Sequence, residues 1–121
     1  MINIMQLVAF LGKDKESWGQ VSALINKGKW DKVIIVKSKD VDEFPADVGA
    51  TIKVNVEQPI SDLKEEFMSK LKDKLAGDLE VCLSIASGNG KEHMALISAL
   101  LSIPVGVRLV AFTKNGVEFI N

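Results

Sequence analysis

Two short stretches of the sequence carry residue types that could do chemistry. In Ser87-Gly88-Asn89-Gly90-Lys91-Glu92, hydroxyl and amide side chains alternate with glycines and lead to a lysine. The aliphatic run Val81-Cys82-Leu83-Ser84-Ile85-Ala86 precedes it, and helical periodicity from His93 to Ile103 follows, so the turn joins a strand to a helix start. Unpaired backbone N–H groups at a helix start, together with an ammonium, suit an anion and phosphate above all. Here Ser87 and Asn89 are candidate donors, Gly88 and Gly90 allow close backbone approach, and Lys91 supplies charge. Gly12-Lys13-Asp14-Lys15-Glu16-Ser17 makes a second strand-to-helix turn, with Lys13 and Ser17 as its candidates.

Neither turn fits the two familiar nucleotide motifs. A P-loop needs a glycine where Ile85 stands and Ser or Thr where Glu92 stands. A dinucleotide fingerprint needs a small residue at His93 and belongs after the first strand. Two readings of the Ser87 turn therefore stay open: an anion site, or a plain helix start in which Asn89 and Glu92 form a capping box. Lys13 and Ser17 likewise read either as ligand contacts or as a solvated lysine and an N-cap. His93, the single histidine, has no partners at metal-ligand spacing, so no metal site is expected and a structural role is favoured. Cys82 is the single cysteine and sits in an apolar strand, which excludes an internal disulfide and favours a core residue.

Composition limits the partners. The chain has 121 residues, 47% hydrophobic and 26% charged, which predicts one domain over 1–121. A net charge of -1, with Arg108 the lone arginine, counts against a DNA binder. The start MINIMQLVAFLGKDK lacks the basic segment and cleavage site of a signal peptide, and Pro104, Gly106 and Arg108 interrupt the longest apolar stretch. A cytoplasmic protein with no membrane span and no cofactor is expected.

The elements that must position these turns follow from periodicity. Ile2 to Leu11 becomes continuously apolar and reads as an inner strand; a helix to about Lys27 follows, closed by Gly28, and then the strand Val33 to Val36. Lys37 to Ala50 reads as a loop with at most one helical turn near Val41 to Phe44. Thr51 to Glu57 alternates like an edge strand. A helix from Ile60 to Ala76 is expected, capped near Ser61, with Ile60, Leu63, Phe67, Leu71 and Leu75 inward and Gly77 at its end. Val107 to Phe112 and Val117 to Ile120 flank an Asn115-Gly116 hairpin signal. The order β α β β α β α β β predicts an α/β, Rossmann-like fold: a mostly parallel sheet of about six strands, helices on both faces, and a C-terminal β-hairpin. If the first and fourth strands are neighbours, the two turns share the crevice where strand order reverses.

The turn Ser87-Gly88-Asn89-Gly90-Lys91, followed by Met94-Ala95-Leu96 and the helix Ile97 to Leu101, resembles the Gly-Gly-Thr-Lys-type signature of CRISPR-associated Rossmann-fold (CARF) domains. The strand order with its closing hairpin and the phrase Trp30-Asp31-Lys32-Val33-Ile34-Ile35-Val36 are similar too. Asn89-Gly90 replaces the usual Gly-Thr pair, and the fold's second helix is reduced to the Lys37 to Ala50 loop. The resemblance implies a homodimer that binds a cyclic oligoadenylate through Ser87, Gly88, Asn89, Gly90 and Lys91, with Gly12, Lys13 and Ser17 in the facing loop. It also implies metal-independent ring-nuclease activity as one role, with Lys91 and Ser17 as catalytic candidates. The alternatives are a structural or partner-binding module without ligand and an enzyme on another small phosphorylated metabolite.

Overall fold

A computed structural model describes residues 5–41, 49–75 and 77–121. Strand β1 (Gln6–Leu11) leads through a short 3-10 turn (Lys15–Ser17) into helix α1 (Trp18–Lys27), then β2 (Lys32–Ser38) and β3 (Ala50–Val54). Helix α2 (Ile60–Leu71), β4 (Glu80–Ser84), α3 (Gly90–Leu101), β5 (Gly106–Thr113) and β6 (Gly116–Phe119) complete the chain. The six strands form one sheet in the order β3-β2-β1-β4-β5-β6. All neighbours are parallel except the β5–β6 hairpin. This is the expected α/β Rossmann-like architecture, and β1 lies beside β4 with Leu7 opposite Cys82 and Ala9 opposite Ser84.

Alternation along the buried strands divides the core into two layers. Val8 and Phe10 of β1, Ile34 and Val36 of β2, and Val81 and Leu83 of β4 meet Leu63, Phe67 and Leu71 of α2 and Ala95, Leu96, Ala99 and Leu100 of α3. Leu7, Ala9 and Leu11, with Ile35, Cys82 and Val110, meet Val21 and Leu24 of α1 on the other face. Phe10 and Phe67 pack edge to face at 6.2 Å between ring centres, a favoured aromatic geometry. Cys82 is buried beneath α1, and burial, with the charge of Glu80 adding to it, pushes its thiol above the ordinary range. That is the state of a packing residue.

Several local expectations are corrected. Strand β2 continues through Lys37 and Ser38, which the sequence places in a loop, because they pair with Lys53 and Val54 of β3. Ala50, also expected in that loop, opens β3, while residues 42–48, with most of the expected helical turn, lie outside the described residues. Helix α2 ends at Leu71, and its chain continues in turns to Leu75. Its N-cap is Pro59, without a side-chain cap, and Ile60 is exposed. Gly28 does close α1 as its C-cap, its N–H donating to the Leu24 carbonyl at 3.0 Å, though in an extended (φ −83°) and not a left-handed conformation. A β-carbon there would lie 2.2 Å from the Trp30 indole, whose Nε1–H donates to the Leu24 carbonyl at 2.8 Å. The expected C-terminal hairpin does form, with Thr113 opposite Gly116 and Gly116 at positive φ (+99°).

At the sheet's two edges, side chains occupy backbone groups. Lys70 Nζ donates to the Lys53 carbonyl of β3 at 2.7 Å. The Asn121 amide bridges Leu109 N–H (2.7 Å) and the Val107 carbonyl (3.1 Å) of β5, continuing the ladder where β6 ends. Because Phe67 is fully buried against Phe10, Phe67→Ala is expected to lower unfolding free energy by about 3–5 kcal/mol, measured by urea denaturation.

Candidate functional site

Parallel strands β1 and β4 end side by side, so the loops that leave them must pass each other at close range. They do so through two glycines. A β-carbon on Gly12 would lie 2.5 Å from the Gly88 Cα and 2.6 Å from its nitrogen, distances no side chain tolerates. Gly88 has φ +104°, and a β-carbon there would lie 2.6 Å from the Phe10 ring.

Polar groups seal this contact. Ser87 is fully buried, and its Oγ accepts the Gly12 N–H at 2.7 Å. Ser17 Oγ lies 2.7 Å from Ser87 Oγ and 2.7 Å from the Asp14 carbonyl, and its single proton serves one of them at a time. The Asp14 carboxylate reaches across, accepting from Gly88 N–H at 3.2 Å and from Ser87 Oγ at 3.4 Å. Partial burial opposes its ionisation, but the hydroxyl and N–H donors of Ser17, Gly88 and Ser87 outweigh that and hold Asp14 below the usual carboxylate range. Trp18 Nε1–H donates to the Gly12 carbonyl at 2.9 Å. His93 Nε2 bonds the Ser87 carbonyl at 2.7 Å, which requires a proton on that nitrogen, and the ring meets Phe10 edge on.

The start of α3 carries a complete capping box. Asn89 Oδ1 accepts Glu92 N–H at 2.9 Å, and Glu92 Oε1 accepts Asn89 N–H at 2.9 Å. Beside it opens a cleft of about 510 Å³. Lys13 and Asp14 line it from the β1 loop, Gly88, Asn89, Lys91 and Glu92 from the start of α3, and Val56 and Glu57 from the segment after β3. Two ammonium groups reach this cleft. Lys91 Nζ donates to the Val56 carbonyl at 2.9 Å, and Lys13 Nζ lies 3.4 Å from Glu57 Oε1. Asn55 and Glu66 hold the third wall: Glu57 N–H donates to Asn55 Oδ1, and Asn55 N–H to Glu66 Oε1, each at 3.1 Å. Burial works against the Glu66 charge, but Lys70, Asn55 and Gln58 bond it and keep its carboxyl below the ordinary range.

Of the residues singled out from sequence, Lys13, Gly88, Asn89 and Lys91 line the cleft. Gly12, Ser17 and Ser87 stand behind it in the seam between the loops. Gly90 opens α3 with free space where a side chain would be. Sequence reasoning missed Asp14, Val56, Glu57 and Glu92 as cleft residues. Asp14 had a visible signal, an acid two residues beyond a strand-end glycine, whereas Val56 and Glu57 arrive only through the path of the chain beyond the edge strand, which brings them to Lys91 and Lys13. Among the described residues no group of three His, Cys, Asp or Glu side chains could hold a metal ion, and no helix is long and apolar enough to cross a membrane.

No protein-family model and no curated protein matches the sequence. Among solved structures, the chain superposes on Enterococcus italicus Csm6, a CARF-domain protein determined bound to cyclic hexa-2'-fluoro-hexa-dAMP, with a TM-score of 0.67 and 14% identity. The two share a CARF-like fold. The match covers 92% of this chain and 34% of the Csm6 chain, so this chain spans about a third of that protein's length.

The Asp14 seam has a pH signature. A carboxyl held below its unfolded value stabilises the fold at pH above the ordinary carboxylate range, and that contribution disappears as pH falls through the folded value. Asp14→Asn is expected to cost on the order of 1–2 kcal/mol at pH 7, after allowance for solvent screening, and to flatten the acid limb of stability against pH. Thermal melts from pH 2 to 7 measure both.

Proposed function

We propose that this chain is a nucleotide-binding protein of the CARF type, holding a phosphodiester of a cyclic oligoadenylate, or of a related cyclic oligonucleotide, between Lys13 and Lys91. One observation carries this reading: an open cleft with two ammonium groups and the start of α3 at the reversal of strand order, in a fold shared with a protein solved bound to a cyclic hexanucleotide analogue. Gly90 leaves the backbone there approachable.

In a bound ring held with a ribose 2′-hydroxyl in line with the adjacent phosphate, positioning and a cation suffice for metal-free opening. The 2′-oxygen displaces the 5′-oxygen from phosphorus, the 2′-hydroxyl proton is lost to water and the departing 5′-oxygen takes one up, giving a 2′,3′-cyclic phosphate end and a 5′-hydroxyl end. Lys91 or Lys13 would stabilise the developing charge. Ser17, bonded within the seam, would act through Ser87 and Asp14 as a positioning residue. The protein would work as a homodimer. Met94, Ile97 and Leu101 leave an apolar stripe on α3, next to the cleft, whose burial against a second copy would bring two clefts together.

A second reading has its own support: the Ser87 hydroxyl already bonds the β1 loop, and Asn89 and Glu92 already bond each other's backbone N–H groups, which is what a ligand-free structural or partner-binding module requires. Cyclic tetra-adenylate in EDTA separates the two. On the first reading it raises the melting temperature, by an amount equivalent to about 2.7 kcal/mol at a hundredfold excess over Kd, and Lys91→Ala weakens binding about tenfold. Linear products by chromatography would establish cleavage. No shift and no product at micromolar protein favours the module; a shift with another member of a nucleotide panel favours an enzyme on a different phosphorylated metabolite.

A further inference from the structure

We propose that Glu57 sets the charge this cleft accepts, admitting a singly charged phosphodiester and disfavouring the doubly charged phosphate of a terminal monoester. The proposal deepens the reading of the cleft as a phosphate site and rests on it.

Two lysines and three carboxyl side chains line the cleft. Asp14 and Glu92 have internal tasks, one across the loop seam and the other in the capping box. The Glu57 side chain is 73% exposed and its side-chain partner is Lys13. The neighbouring Val56 supplies the carbonyl that holds Lys91. Both cleft ammonium groups are therefore met by consecutive residues of one segment, and that segment is fastened to α2 through Asn55 and Glu66.

A phosphate that reaches Lys13 must share it with the Glu57 carboxylate or displace that carboxylate by a few ångströms. A diester carries one negative charge and a terminal monoester nearly two at neutral pH. Each added charge about 6 Å from a carboxylate, at the dielectric of an exposed site, weakens binding on the order of three- to tenfold. The penalty thus falls twice on a monoester and once on a diester. Opening the ring through the 2′-hydroxyl leaves a 2′,3′-cyclic phosphate, which is still a singly charged diester; only its further hydrolysis by water to a terminal monoester would turn a favoured ligand into a disfavoured one at the same site.

The test uses ligands that lack the 2′-hydroxyl and cannot be cleaved by it: 2′-deoxy cyclic tetra-adenylate and its linear counterpart ending in a 3′-phosphate. Calorimetry compares the natural chain with Glu57→Gln and Glu57→Ala, and with Glu65→Gln on the far side of α2 as a control for net charge. Both Glu57 variants are expected to tighten the linear ligand more than the cyclic one, narrowing the preference by three- to tenfold, while Glu65→Gln leaves it unchanged. A narrowing of twofold or less, a linear ligand that binds neither Glu57 variant, or an equal effect of Glu65→Gln overturns the proposal. If the natural chain binds the cyclic ligand and the ratio stays fixed, only this inference falls. If the natural chain and the variants bind neither ligand, the phosphate-site reading falls with it.

Discussion

The contact between the Gly12 and Gly88 backbones is the constraint on which the rest of the site depends. Parallel neighbours at a reversal of strand order send their following helices to opposite faces of the sheet, so their loops diverge and leave a crevice. In this chain the loops are pressed together first, by two residues without side chains, and open only beyond Asp14 and Asn89. The buried Ser87 hydroxyl makes the contact polar as well as close, since the Gly12 N–H would otherwise be buried without a partner. The loops are thereby fixed relative to each other, and Lys13 and Lys91 inherit their spacing from that seam.

With two lysines and three carboxyl side chains in its lining, the cleft is not positive. Its lysines are matched by a carbonyl and a carboxylate of the protein, so a phosphate gains the difference between two sets of contacts and not the full attraction of free ammonium groups. On the proposed reading, such a site would trade affinity for discrimination among anions of different charge. The pair at Lys13 is largely solvated and contributes little to folding, which leaves it free to be exchanged for a ligand contact.

Much of this was readable in the sequence, for identifiable reasons. Short aliphatic runs such as Leu7 to Leu11 and Val33 to Val36, bounded by turn residues, read as strands covered on both faces, and with the helical stripes between them they point to layer and order. Turn residues gave the meeting of the two loops. Periodicity could not tell which hydroxyls and amides face inward. Ser87 and Ser17 look like ligand donors in a list of polar residues, yet they bond each other, and Asn89 could be recognised as a cap or as a contact with equal justice until the reciprocal bond from Glu92 was seen. The third wall of the cleft escaped notice because Glu57 belongs to an alternating edge strand by pattern and to the cleft by the path of the chain after Val54.

Phe10 touches three things at once: the ring of Phe67 in α2, the ring of His93 in α3, and the space that a side chain at Gly88 would need. Through it the hydrophobic layer and the floor of the cleft are one packed body, so a change of volume at any of these positions would be felt at the others. Drift in the floor is therefore closed off, because every step would have to be answered in the core. The walls are different. Lys13 and Lys91 stand on the two loops that meet at that floor and Glu57 on the segment after β3; all three are exposed, so replacing them would disturb the core far less. Constraint and freedom to vary thus fall on separate residues of one small region, so on the proposed reading what the cleft recognises could change while the way the chain folds stayed the same.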